Sequence, residues 1–553
     1  MMLNFAVRMS CIRSEKPRQS WPVVSALLLF ALPMMMPGLV AAQNESVASR
    51  PEQDTAMAGV TQTGVNPAQA VAQPRPNWVI TPSINLEGTY TDNVNLSPVK
   101  KSDFVTKLNP GIALDGKTGR ATANLNYQWQ HYDYAHNSVP AGNQRSLTAR
   151  GQVELVEQWL FLEGSHNISQ QSVSAFGTQS VGNESRTTNR SETAAYSISP
   201  YIQGRFANEV DYQLRYSGSR TRSDSGALAG GTAATTGAWT GKIAGATPLA
   251  VLGWSLNLNR QTIRNTNGLD SSSNNAFGTL TYQIDPQIRL SARAGRESDN
   301  FTAGVSQKRT TSGLGLDWAP TERTSVSFKK DRNAAGKGHS IDFAHRTALT
   351  AWKYSDSRSV TIPTPQMAMA RTGTAFDLVY RQLESSFPDP VARAAEANRQ
   401  LAQAGIGADL PIFGSLMTSQ AFIQRRQQAS VAFMGANNTV VLAFDRSNSE
   451  RMGTGIGLAD DFAANADIRQ SGFNASWAHK LTPEAALTLN AGSSRSSGSS
   501  GLETSNRAWS LLLTTQLGAK TSASVGLRQT RFSSTAATGY DEQALTGAMK
   551  LKF

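Results

Sequence analysis

The chain closes on Asp541-Glu542-Gln543-Ala544-Leu545-Thr546-Gly547-Ala548-Met549-Lys550-Leu551-Lys552-Phe553. Leu545, Gly547, Met549, Leu551 and Phe553 share one face, and Thr546, Ala548, Lys550 and Lys552 share the other. A period of two is the period of a β-strand, whose successive side chains point to opposite sides. Two settings produce one apolar and one wet face. One is an edge strand of a soluble sheet. The other is the last strand of a membrane barrel, where the terminal aromatic, with Leu551 and Phe553 as its core, acts as an assembly signal.

The rest of the chain decides between them. Ala121, Ala123, Leu125, Tyr127 and Trp129 alternate with Thr122, Asn124, Asn126, Gln128 and Gln130. Tyr212, Leu214 and Tyr216 alternate with Gln213 and Arg215, Trp254, Leu256 and Leu258 with Asn257 and Asn259, and Ile288, Leu290 and Ala292 with Arg289 and Arg293. A soluble sandwich hides a Val- and Ile-rich face in its core. Here the apolar face carries Trp, Tyr, Leu and Ala, which suits a lipid-facing surface with interfacial aromatics. Only 39 % of the 553 residues are hydrophobic and 17 % charged, with 45 glycines, the dilute signal of a barrel whose other face lines a wet lumen. The sequence therefore predicts an all-β chain folded as a large transmembrane antiparallel barrel of the bacterial outer membrane. Short turns are expected at Asp115-Gly116, Glu157-Gln158, Gly204-Arg205, Thr247-Pro248, Asp285-Pro286, Pro320-Thr321, Ile362-Pro363, Ala436-Asn437, Thr482-Pro483 and Gly518-Ala519. Counting strands between them gives about 22, with a range of roughly 18 to 24, an even number being required. Polar stretches such as residues 170–190 read as long loops at the opposite end.

Residues 1–42 read as a signal peptide. Arg13, Lys16 and Arg18 precede an apolar run over 23–36, and Val40-Ala41-Ala42 supplies small residues for cleavage after Ala42. Residues 43–77, rich in Ala, Gln, Thr, Val and Pro without periodicity, read as a disordered periplasmic linker, and 78–553 as the barrel. Within it, 386–417 reads as a loop insertion. It holds a short helix from Asp389, a candidate N-cap followed by Pro390, to a candidate C-cap at Gly405, either a loop decoration or a lid over the pore.

The formal charge is +12. Arg8, Arg13, Lys16 and Arg18 against Glu15 leave +3 in the leader, so about +9 for the rest. No polybasic run accompanies it, so nucleic acid is not an expected partner. The single cysteine, Cys11, lies in the leader, so the mature chain has neither a disulfide nor a thiolate metal site. The six histidines form no HExxH pattern, and no GxSxG elbow, Walker loop or dinucleotide fingerprint is present. A non-enzymatic chain without cofactor or metal is expected. The informative polar residues are those of the lumen register: Arg215, Arg289, Arg293, Asn257, Asn259, Gln128 and Lys550. Amides there can hydrogen-bond sugar hydroxyls, and arginines can pair with carboxylates or phosphates.

Several segments together resemble a known family. They are Trp78-Val79-Ile80-Thr81-Pro82-Ser83, Tyr90-Thr91-Asp92-Asn93-Val94, Lys101-Ser102-Asp103-Phe104, Asn109-Pro110-Gly111, Gly295-Arg296-Glu297, Trp318-Ala319-Pro320-Thr321-Glu322-Arg323-Thr324, and His345-Arg346-Thr347 followed by Trp352 and Ser357-Arg358. In order and spacing, over 78–553, they resemble the outer-membrane β-barrels associated with PEP-CTERM/exosortase systems and exopolysaccharide loci. The resemblance implies a role in exopolysaccharide export or surface assembly, and carries over no catalytic or binding residue. Expected partners are the outer-membrane barrel assembly machinery, the lipid bilayer, exopolysaccharide and periplasmic export components. The alternatives are a general diffusion porin and, further off, a barrel-type hydrolase.

Overall fold

Alternation of one apolar and one polar residue runs through nearly every stretch of the chain from Trp78 onward, and each such stretch forms a strand. A computed structural model describes residues 78–553 apart from 186, 208, 224–231, 250, 267–269, 303–305, 363–417, 419–420 and 454–459. Its strands are β1 (Trp78–Thr91), β2 (Asp103–Lys117), β3 (Ala121–Tyr134), β4 (Gly142–Val156), β5 (Leu160–Ser172), β6 (Arg190–Phe206), β7 (Val210–Ser223), β8 (Thr232–Ala246), β9 (Leu252–Asn265), β10 (Ser271–Gln283) and β11 (Ile288–Asp299). There follow β12 (Gln307–Thr321), β13 (Thr324–Asn333), β14 (Gly336–Arg346), β15 (Thr350–Thr361), β16 (Phe422–Met434), β17 (Asn438–Arg451), β18 (Asp467–Lys480), β19 (Ala485–Gly498), β20 (Glu503–Gln516), β21 (Thr521–Ser534) and β22 (Tyr540–Lys552). One helical turn, α1 (Asp461–Ala464), lies between β17 and β18.

Every strand pairs antiparallel with its sequence neighbour, and β1 also pairs with β22, from Ser83 opposite Lys552 to Thr91 opposite Ala544. The 22-stranded sheet is therefore closed. Connections of two to five residues alternate with generally longer ones, which separates a turn end from a loop end. Trp78 and Phe553 both lie at the turn end. Local chemistry builds the turns. The Asp285 carboxylate accepts from the backbone N–H groups of Gln287 and Ile288, both at 2.7 Å, with Pro286 between them fixing φ. Thr482 Oγ1 does the same for Glu484 at 3.2 Å and Ala485 at 2.9 Å.

Side-chain exposure fixes which face is which. On β22, Leu545 and Met549 are 49 % and 53 % exposed, whereas Glu542 and Ala544 on the other face are 1 % and 5 % exposed. The outward face continues around the ring through Leu86, Leu214, Leu258, Leu280, Leu314, Phe328, Phe444 and Leu527, all exposed. Trp78, Trp318 and Trp352 stand near its turn-end margin. An apolar outside with aromatics at its margin, closed so that no edge is left unpaired, is the architecture of a transmembrane barrel.

Nine of the ten expected turns fall within two residues of a short turn-end connection. Ile362-Pro363 does not. β15 ends at Thr361 at the loop end, and the turn-end connection lies at residues 347–349 instead. The cause is the connection between β13 and β14, only Ala334-Ala335 at the loop end. A two-residue link there shortens the hairpin pitch, and a count that assumes a long loop slips to the wrong end. The leader and linker over 1–77 and the helix at 389–405 fall outside the described residues.

The backbone N–H of Phe553 donates to the Pro82 carbonyl at 3.0 Å, while its side chain points outward and is exposed. Phe553→Ser keeps the backbone bond and removes only the ring. Burying that ring in lipid contributes about 1.5–3 kcal/mol. The heat-modifiable, folded fraction in membranes is expected to fall; unchanged assembly would dismiss Phe553 as a signal.

Candidate functional site: a strap across the lumen

The connection between β5 and β6, residues 173–189, is rich in Ser, Thr, Gln and Gly but includes Ala175 and Phe176. Both are buried, in a cluster with Phe422, Phe462 and Ile468. Phe422 begins β16, and in a ring of 22 strands β16 stands eleven positions from β5. The connection thus runs over the lumen to the opposite wall. It is a strap, and its apolar tip is its far anchor.

Polar contacts hold the strap along its length. Asp461 in α1 accepts from Ser174 Oγ at 2.5 Å and the Ala175 N–H at 2.7 Å. Thr504 Oγ1 on β20 donates to the Ala175 carbonyl at 3.1 Å, and Ser534 Oγ on β21 to the Phe176 carbonyl at 3.3 Å. The Tyr540 hydroxyl on β22 donates to the Gln179 carbonyl. Nearer its root, the Tyr134 hydroxyl on β3 donates to the Glu184 carbonyl at 2.6 Å. Asn189 ties the two ends of the strap together, accepting from the Ser174 N–H at 2.8 Å and donating to the Ser174 and Thr178 carbonyls at 3.0 and 3.2 Å.

The central fastening is ionic. The Arg528 guanidinium on β21 bonds the Glu184 carboxylate of the strap and also Glu542 on β22, the latter at 3.0 Å. Thr91 Oγ1 on β1 donates to Glu542 at 3.0 Å. Glu184 is only 6 % exposed. Burial works against its carboxylate, yet Arg528 beside it prevails and holds its pKa below the ordinary value. Among the described residues Asp461 has no cation paired with it, and burial pushes its carboxyl above the usual range despite the bonds from Ser174 and Ala175. The strap is thus locked by a charge-compensated centre and an uncompensated far anchor.

Two further connections fold against the same side. Val94, from the connection after β1, packs with Val105, Tyr132, Tyr134 and Val139. Leu96 packs with Phe532 and Tyr540. Asp103 accepts from the backbone N–H groups of His136 at 3.0 Å and Ser138 at 3.3 Å, fixing the connection after β3.

The residues named from sequence lie elsewhere on the inner wall. Arg215 pairs with Glu163 at 2.6 Å, its guanidinium 4.0 Å from the Tyr201 ring centre. Arg293 pairs with Asp331 at 2.8 Å and stands 4.7 Å from the Phe277 ring centre. Both arginines are thus engaged by wall carboxylates. Asn257 donates to Ser255 Oγ at 3.3 Å, and Asn259 stands opposite Asn275 and Thr240. Arg289 lies at the turn end opposite Gln283 and Asp317. Gln128 and Lys550 share a polar cleft at the turn end with Ser83, Asn85, Glu87 and Asn109. Leu551 and Phe553 face outward. None of these residues belongs to the strap fastening. The one sequence signal for the strap was Phe176, with Val173 and Val181, in a stretch otherwise polar enough for a solvated loop. Among the described residues no group of three His, Cys, Asp or Glu side chains is arranged to hold a metal ion.

No protein-family model and no curated protein matches the chain. Among solved structures, the FrpB iron transporter from Neisseria meningitidis (F5-1 variant, apoprotein form) matches with a TM-score of 0.50 at 12 % identity, over 87 % of this chain and 82 % of that one. The fold is that of an outer-membrane β-barrel. The F3-3 variant of FrpB matches with a TM-score of 0.48 at 11 % identity, over 86 % and 82 %. The outer membrane protein OpdK from Pseudomonas aeruginosa matches with a TM-score of 0.31 at 10 % identity, over 86 % and 99 %. At these identities the likeness concerns the fold alone.

Proposed function

We propose that the chain resides in the bacterial outer membrane as a non-enzymatic conduit for polar solutes, and that its cargo is exopolysaccharide on its way to export or surface assembly. The observation that carries the conduit reading is the strap. A barrel serving only as a surface scaffold has no use for a segment anchored on opposite walls of its own lumen, whereas a conduit needs a constriction that sets what passes. The loop end then faces the exterior and the turn end the periplasm. The exopolysaccharide cargo is supported by the resemblance to barrels of PEP-CTERM/exosortase systems. It is also supported by an inner wall rich in amides and hydroxyls at Gln128, Asn257, Asn259, Ser255 and Asn109, donor–acceptor groups suited to sugar hydroxyls. The barrel assembly machinery and periplasmic export components are the partners this reading requires.

A clean deletion tests the cargo, with polysaccharide quantified outside the cell and in the periplasm. Loss outside with accumulation inside is expected. Unchanged polysaccharide in both compartments would remove the export role and leave a general diffusion channel.

A further inference from the structure

The outward face carries a second pattern, above the apolar belt at its loop-end side. Arg220 on β7, Arg260 and Arg264 on β9, Arg296 on β11, and Lys330 and Arg332 on β13 all occupy outward positions and are exposed. Register sets them in rows. Arg220 and Arg264 flank Thr235 from either side, Arg260 stands directly opposite Trp239, and Arg332 stands opposite Lys337. Apolar neighbours follow at once toward the turn end: Leu258 two residues from Arg260, and Phe328 two residues from Lys330, both exposed. None of the six forms an ion pair among the described residues. The outward strand positions of β7 to β14 contain no Asp or Glu at all.

The rest of the ring is different. There several outward arginines at the same height are matched by acids: Arg145 with Glu192 at 2.5 Å, Arg425 with Asp356 at 2.8 Å, Arg495 with Glu503 at 2.8 Å and Arg531 with Asp541 at 2.6 Å. Arg446 on β17 and Arg507 on β20, also outward and exposed, form no ion pair among the described residues. The wall thus has one long sector in which outward acids neutralise several of the arginines, and over β7 to β14 a shorter one whose strands offer no outward acid to these six cations where they border the apolar belt. Cations at that height meet the headgroup layer of the surrounding lipid, and phosphate is the headgroup anion that guanidinium binds best, through paired N–H donors.

We propose that the β7–β14 face is a binding site for anionic, phosphate-bearing lipid headgroups of the leaflet on the loop-end side. The acyl chains lie on Leu258, Leu314 and Phe328, and the phosphates lie on Arg260, Arg264, Arg296 and Lys330. The proposal rests on the membrane-barrel reading above, and goes beyond it in assigning one sector of the wall to a defined lipid chemistry.

The test uses the full chain purified in neutral detergent and titrated with lipid A, with bound phosphorus counted after gel filtration and stoichiometry read by native mass spectrometry. Arg260→Gln, Arg264→Gln, Arg296→Gln and Lys330→Gln are combined in one variant, and Arg495→Gln with Arg531→Gln serves as the control. The four-fold variant is expected to lose affinity on the order of a thousand-fold, as removal of four surface-bound cations implies, with the control unchanged. Heat-modifiable migration reports folding of each protein separately. A folded four-fold variant that keeps its lipid A would overturn the proposal. So would displacement of lipid A by millimolar inorganic phosphate alone, which would make this a free-anion site. A wild-type chain that shows no heat-modifiable form and enters no bilayer would instead refute the membrane barrel itself, and the lipid site with it.

Discussion

Arg528→Met is expected to release the strap and raise single-channel conductance in planar bilayers. The substitution preserves much of the side-chain volume but leaves the Glu184 and Glu542 carboxylates buried without their shared cation. Breaking a buried ion pair from one side typically costs about 3–5 kcal/mol. Most of that cost can be avoided by undocking the strap, because Glu184 then reaches water while the β21–β22 ladder stays intact. Adding Glu184→Gln to Arg528→Met removes one orphaned charge and is expected to restore part of the low-conductance state. A double variant as open as the single one would show that the ion pair is not the fastening. Acid probes the same contact. The carboxylate pKa of Glu184 is depressed in the folded state, so its contribution is fully present above the unfolded carboxylate value, about 4.3. It is lost only as pH falls through the lower folded value. Conductance should therefore stay low through the mildly acidic range and rise only below the ordinary carboxylate range, whereas Glu184→Gln should remove this pH dependence.

Phe176→Ala addresses the far anchor. The ring lies among Phe422, Phe462 and Ile468, and truncating a buried phenylalanine to alanine costs about 3–5 kcal/mol. At about 1.4 kcal/mol per factor of ten, the undocked population of the strap rises by roughly two to four orders of magnitude. The barrel itself is expected to keep its heat-modifiable migration, because Phe176 belongs to no ladder. Larger conductance with unchanged migration is the expected pair of results. Unchanged conductance would mean that the strap does not narrow the path.

The barrel was legible in the sequence and the strap was not, for the same physical reason. A strand facing lipid on one side and a wet lumen on the other must alternate residue by residue, so its pattern is local. The last strand, the ring size and nine of the ten turn-end connections could be read that way. Whether a loop turns outward or crosses the lumen depends on partners far along the chain. Glu184 and Arg528 are 344 residues apart, and Ser174 and Asp461 are 287 apart. Nothing within residues 173–189 encodes those distances. The lumen arginines show the complementary shortfall. Their alternation gave the face of Arg215 and Arg293 but not their carboxylate partners on neighbouring strands, Glu163 and Asp331.

The pairing of β1 with β22 has a consequence for biogenesis. The two strands that close the ring are the first and last of the barrel to leave the ribosome, and their partners, such as Thr91 and Ala544, lie more than four hundred residues apart. Any nascent or truncated chain is therefore an open sheet with two unsatisfied edges, which in lipid is intolerable and in water invites aggregation. Closure is necessarily the final event, and the high contact order of that seam makes it a slow one. Because the seam joins the two ends of the barrel at one margin, a circularly permuted barrel gene opened at another turn-end connection would encode the same closed ring with a different final strand. In such a permutant the timing of closure, rather than the architecture, is what would change.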